Sequence, residues 1–137
     1  MNLDGLNVIA IVVAAVIFFV LGAVWYSPLL FAKPFIKLRN YIPGEDWQNS
    51  GSPIDYLTVL VVDLAAALVL AVLIRNAGAV TLIDGALVGL GVAGGIALTT
   101  TWTFTVFSGP PKGLWGLYAG YLMIGFAVMG AILGAWR

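Results

Sequence analysis

The sequence predicts an all-α integral membrane protein: four transmembrane helices in an antiparallel bundle, with a short interfacial helix after the first span. Three observations lead there. Of 137 residues, 62% are hydrophobic and 9% charged, against about 45 to 50% apolar and about 25% charged in a soluble domain. The few charges leave four apolar runs near the roughly 20 residues that a helix needs to cross a core about 30 Å thick. The links between the last three runs are short, so consecutive helices must run antiparallel.

The same counts exclude whole classes of function. Six basic and six acidic residues cancel to a formal charge of zero, leaving no basic field for a nucleic-acid backbone. The chain has no cysteine and no histidine, which removes disulfides, thiolate nucleophiles, haem or zinc histidines and the Ser-His-Asp triad. No cofactor or metal site can be read from what remains. The expected partners are membrane lipids and further copies of the same chain.

The first run, Leu6 to Tyr26, exceeds the 7 to 15 residues of a signal h-region, and no Lys or Arg precedes it, so it reads as a retained helix. The segment 27–55 then carries four of the six prolines, Pro28, Pro34, Pro43 and Pro53, and reads as the extramembrane loop. Within it Phe31, Phe35 and Leu38 fall at i, i+4, i+7 with Lys33 and Lys37 opposite, the pattern of a helix lying among headgroups. An irregular loop whose lysines touch lipid phosphates is the alternative. In either case Lys33, Lys37 and Arg39 are candidates for contact with anionic lipid.

The second span is Tyr56 to Ile74, the third Leu82 to Phe107 and the fourth Leu114 to Trp136. These lengths exclude barrel strands of about 9 to 11 residues. Lys33, Lys37, Arg39 and Lys112 share one side of the membrane, Arg75 and Arg137 the other. The positive-inside rule therefore sets loop 27–55 in the cytoplasm and both termini outside.

Asp63 stands out because a carboxylate deep in a span costs roughly 2.5 to 3.5 kcal/mol and almost always faces a bundle interior or a watery cavity. At 100° per residue it shares a face with Tyr56, Ala66, Ala67 and Leu70, opposite Val61, Leu68, Val69 and Val72. No basic residue lies within any span, so Asp63 is either a proton or cation site or an interhelical tie bonded to a hydroxyl or carbonyl. Asp55 and Asp84, at helix starts, read as caps.

In the third span Gly85, Gly89, Thr99 and Thr103 form one stripe, with Gly91, Gly94, Thr101 and Thr105 on the other side. The hydroxyls either bond back to their own helix or line a polar path. In the fourth span Gly116, Gly120, Ala127, Gly130 and Gly134 make a close-packing face, opposite Tyr118, Tyr121, Gly125 and Ile132. Trp25, Tyr26, Trp115, Tyr118 and Trp136 sit near span ends, where interfacial anchors are expected.

The run Gly22-Ala23-Val24-Trp25-Tyr26-Ser27-Pro28, continuing to Phe35, resembles a bacterial membrane family known as domain of unknown function 1761. So do Leu117-Tyr118-Ala119-Gly120-Tyr121 and Gly130 to Trp136. Phe35 stands where relatives often carry tryptophan. The resemblance implies a multi-pass protein of the bacterial inner membrane and a role in the fold or in a site for Trp25, Tyr26, Ser27 and Pro28. It implies no activity.

Three functions compete. A homo-oligomeric channel or transporter for a proton, cation or small solute would use Asp63, Tyr56, Thr99, Thr103, Tyr118 and Tyr121 as a polar path. A structural or lipid-binding protein needs no special role for Asp63. An intramembrane enzyme on a lipid-soluble substrate is the weakest, since no nucleophile-base pair is visible.

Overall fold

The computed structural model describes residues 4–25, 30, 34, 37, 52–108 and 111–136. Every extended element among them is helical, and four helical stretches are long and apolar enough to cross a membrane. Tyr26, Ser27, Pro28, Lys33, Arg39 and most of the expected interfacial helix lie outside the described residues. Of that segment, Leu30, Pro34 and Lys37 are described and exposed.

Helix α1 (Val8–Trp25) starts at Asn7, whose side-chain oxygen accepts from the Ala10 backbone N–H at 3.1 Å. Helix α2 (Pro53–Asn76) opens on a capping box: Ser52 accepts from the Asp55 N–H, Asp55 accepts from the Ser52 N–H, and Pro53 takes the first turn. It ends in a Schellman turn, with Ala79 N–H on the Ile74 carbonyl and Gly78 N–H on that of Arg75. Gly78 occupies the left-handed conformation (φ 68°) that this turn requires.

The third span covers Leu82–Ser108 in three pieces: α3 (Leu82–Val92), a π-helical stretch (Ala93–Ala97) and α4 (Leu98–Ser108). The cap of α3 is Thr81, which accepts from the Asp84 N–H at 3.1 Å. Asp84 is thus not the capping residue; it complements the dipole from the first turn. Helix α5 (Lys112–Ala135) begins directly after Pro111.

The π stretch changes the register of the third span. One extra residue in a turn rotates everything downstream by about 100°, so the straight-helix stripe Gly85, Gly89, Thr99, Thr103 does not hold. The inward line runs instead through Gly85, Gly89, Ala93, Ala97, Thr101 and Thr105, while Thr99 and Thr103 are exposed.

The most extensive helix pair is α3 with α5, and glycine is the reason. A Cβ at Gly85 would collide with the Gly130 backbone, at Gly89 with that of Phe126, and at Gly134 with that of Thr81. Contacts step down α5 as they step up α3. Small residues also bring α1 and α2 together, with Ala10, Ala14 and Ala67 fully buried beside Leu70, Ile74 and Met129. On the lipid-facing side of α2, Val61, Leu68 and Val69 are exposed as expected, but Val72 is buried. Near the end of the bundle α2 is covered over a wider arc than the wheel anticipates.

Candidate functional site

Asp63 is the eleventh residue of α2, about 15 Å from the helix start at 1.5 Å per residue. That depth is close to the midplane of a core about 30 Å thick. The side chain is 6% exposed, and its Oδ2 is buried with no hydrogen-bond partner among the described residues. Buried polar atoms are almost always paired, so such an atom calls for an explanation.

The surroundings supply one. Asp63 lines a cavity of about 860 Å³ bounded by Val59 and Ala66 of α2, Phe18 of α1, Thr100, Thr101, Phe104, Thr105 and Ser108 of α4, and one face of α5 from Leu114 to Phe126. The cavity lies between α2 and α4, with α5 at its back. Ser108 and Leu114 mark the end near Pro111; Asp63 and Tyr121 lie at mid-depth. Beyond them Ala67, Leu70 and Met129 are packed at 0 to 1% exposure, closing the cavity. A second hollow of about 230 Å³, between Asn7, Ala71, Arg75 and Trp136, lies at the opposite end of the bundle.

Of the residues expected on a polar path, Asp63, Tyr118 and Tyr121 share the cavity. Tyr56 does not. It is 57% exposed and lies edge-on to Phe19 of α1, centroids 6.4 Å apart. Thr99 lines a separate shallow groove with Trp102 and Trp115, and Thr103 faces outward, bonded to the Thr99 carbonyl at 3.2 Å. The π stretch turned both away and put Thr101 and Thr105 in their place. That substitution is invisible to a wheel drawn at 100°, although Gly94-Gly95 was the signal for a wider turn.

The threonines donate inward to their own helix. Thr100 donates to the Ile96 carbonyl, Thr101 to that of Ala97 and Thr105 to that of Thr101, each at 2.8 Å. Their protons are thus engaged, and what the hydroxyl oxygens have left to offer is lone pairs. Trp115, expected as an interfacial anchor, donates its indole N–H to Thr101 Oγ1 at 3.2 Å and to the Leu98 carbonyl at 3.3 Å, fixing α4 to α5 at the cavity wall.

The floor is aromatic. Phe18 stacks on Tyr121 at 4.8 Å and 6° from parallel, with Phe126 edge-on at 5.6 Å. Tyr121 donates to the Phe18 carbonyl at 3.3 Å, and its hydroxyl fits because Gly22 has no side chain: a Cβ there would stand 2.9 Å away. One turn on, Trp25 donates to the Leu117 carbonyl at 3.2 Å and covers Gly120, where a Cβ would stand 2.8 Å from the ring. Trp25 is therefore a buried wedge between α1 and α5 rather than a lipid-facing anchor, since its inner side offers the Leu117 carbonyl and a glycine gap.

Two of the stretches that carry the family resemblance, Gly22 to Trp25 and Leu117 to Tyr121, thus meet beside the cavity. Comparison with curated proteins and with solved structures gave no significant match. The family model described as "Protein of unknown function (DUF1761)" matches residues 9–134, which takes in all but the outermost residues of the four spans and both of these segments, and the chain belongs to that family.

Proposed function

We propose that the chain is a small channel or transporter for a proton, a cation or a small solute, working as a homo-oligomer, with Asp63 as the group that holds the cargo. The observation carrying this reading is the Asp63 Oδ2 atom, buried and unpartnered at the wall of a large cavity. A carboxylate at this depth is expensive to keep unless something outside the fold completes it.

Two further features support movement of the cargo. The cavity closes at Asp63, and a smaller hollow lies at the other end beyond the layer of Ala67, Leu70 and Met129. Hollows at both ends around one packed layer suit alternating access better than a standing pore. The gap between α2 and α4, where Val62 and Phe104 are exposed, favours a second copy completing the wall. The Lys and Arg count favours the cytoplasm for the larger opening.

Flux in proteoliposomes, over a panel of protons, metal cations and small solutes, tests the reading. Transport in wild type that vanishes in Asp63→Asn, with the variant still folded, is the expected result. Equal flux in both removes Asp63 from the path, and silence across the panel transfers the weight to lipid or partner binding. Mass measurement of the detergent-free particle tests the oligomer.

A further inference from the structure

The size and walls of the cavity narrow the cargo, given the reading of Asp63 as the cargo-holding group. A proton or a bare ion needs no more room than a water, about 30 Å³. The space here is about 860 Å³, within the roughly 300 to 1,000 Å³ of pockets that enclose organic ligands. A hard metal cation gathers about six oxygens tightly around it, whereas Asp63 is the single carboxylate among the described lining residues and most of the wall is carbon.

That carbon is largely aromatic. Phe18, Phe104, Trp115, Tyr118, Tyr121 and Phe126 all line the cavity, and ring faces attract cations through their quadrupole. The hydroxyls of Thr101 and Thr105 spend their protons on their own helix, so they too offer negative lone pairs. No lysine or arginine among the described residues lines the space. Carboxylate, rings and hydroxyl oxygens all favour positive charge, and the volume favours a bulky apolar body.

We propose that the Asp63 cavity is a binding site for amphipathic organic cations, onium or ammonium ions bearing aromatic or aliphatic groups. Asp63 neutralises the charge, and the rings enclose the body of the ligand.

A matched pair of probes tests this: methyltriphenylphosphonium, and triphenylphosphine oxide, nearly identical in shape but uncharged. Equilibrium dialysis of the full-length protein should give saturable binding of the cation, about tenfold or more tighter than the oxide, as one Coulombic contact in a partly buried site implies. In Asp63→Asn the cation should lose most of that advantage, keeping only the few-fold that the rings supply. Phe104→Leu removes an exposed ring that packs little, so the fold should survive; cation affinity should drop about two- to fivefold, the worth of one exposed cation–π contact.

Equal affinity for the two probes, or cation binding undiminished in Asp63→Asn, overturns the proposal. Flux measured on the same preparations separates the two levels of the argument. Asp63-dependent proton or metal-ion flux without onium binding overturns the organic-cation site and keeps the transport reading. Folded protein with neither binding nor flux removes both.

Discussion

From Leu82 to Val92 the third span lies against α5 with glycine on both sides of the contact, whereas from Leu98 to Ser108 it turns threonines and Phe104 toward a cavity of about 860 Å³. The same helix pair is closed at one end and open at the other. In lipid there is no hydrophobic drive to press helices together, so contact depends on how well surfaces fit. Gly85, Gly89, Gly130 and Gly134 permit backbone on backbone; at the other end Thr101 and Trp115 meet side chain to side chain and hold the backbones apart. The π stretch between them lets one continuous helix serve both ends, by rotating Thr101 and Thr105 inward.

The largest effect should come from breaking the closed end. In Gly85→Ala the new methyl meets the Gly130 carbonyl, and in Gly130→Ala it meets that of Gly85. Backbone cannot move aside as a side chain can, so each variant should lose about 3 kcal/mol or more, the upper range for overpacking, measured as thermal unfolding in detergent. Gly91→Ala, with nothing near its Cβ, should stay at or above wild-type stability. If all three behave alike, close packing is not what joins α3 to α5.

At the open end the sign reverses. Asp63→Asn breaks no described hydrogen bond and lightens the burden of an ionisable group in a span, so stability should hold or rise by about 1 to 2 kcal/mol, part of the insertion penalty. A clear loss in the same assay would make Asp63 an interhelical tie, and the cavity would lose the group that defines it. Stability gained with function lost is the signature of a residue kept for its chemistry.

Between these extremes lies Trp25, the wedge of α1 against α5. Trp25→Phe keeps most of the wedge against Gly120 but deletes the indole bond to the Leu117 carbonyl. The expected loss is about 1 kcal/mol, the net worth of one hydrogen bond. A near-zero change would reduce Trp25 to filler, and the shared segments of the family would meet through shape alone.

These contrasts also mark what the sequence could say. The spans were legible because charge is costly in lipid wherever it falls, and the inward face of Asp63 followed from the same cost. The capping part of Asp55 was legible because capping chemistry is local. The helix itself starts at Pro53 rather than Tyr56, and Ser52 is its N-cap, with Asp55 accepting from the Ser52 N–H inside the first turn. Thr99 and Thr103 were misassigned because a wheel assumes 3.6 residues per turn, and Gly94-Gly95 sits where that assumption fails. Trp25 was hidden for another reason. Its choice between lipid and bundle depends on Gly120 and on a carbonyl of α5, 92 positions away, and nothing local encodes that. The cavity was out of reach altogether, since empty space is a property of assembled helices.

The smallest predicted effect is the sharpest check on the register. Thr101 and Thr103 are chemically alike, two positions apart, and each bonds back to its own helix. Only Thr101 faces the cavity wall, where it also accepts from the Trp115 indole. Thr103→Val should therefore change stability by less than about 0.5 kcal/mol, the range of surface substitutions. Thr101→Val should cost about 1 kcal/mol, because the indole loses one of its two acceptors and part of the tie between α4 and α5. On a straight helix the order would invert, with Thr103 in line with Gly85 and Gly89 and Thr101 on the far side. The sign of the difference between two valines thus reads out whether the third span carries its extra residue at Ala93–Ala97.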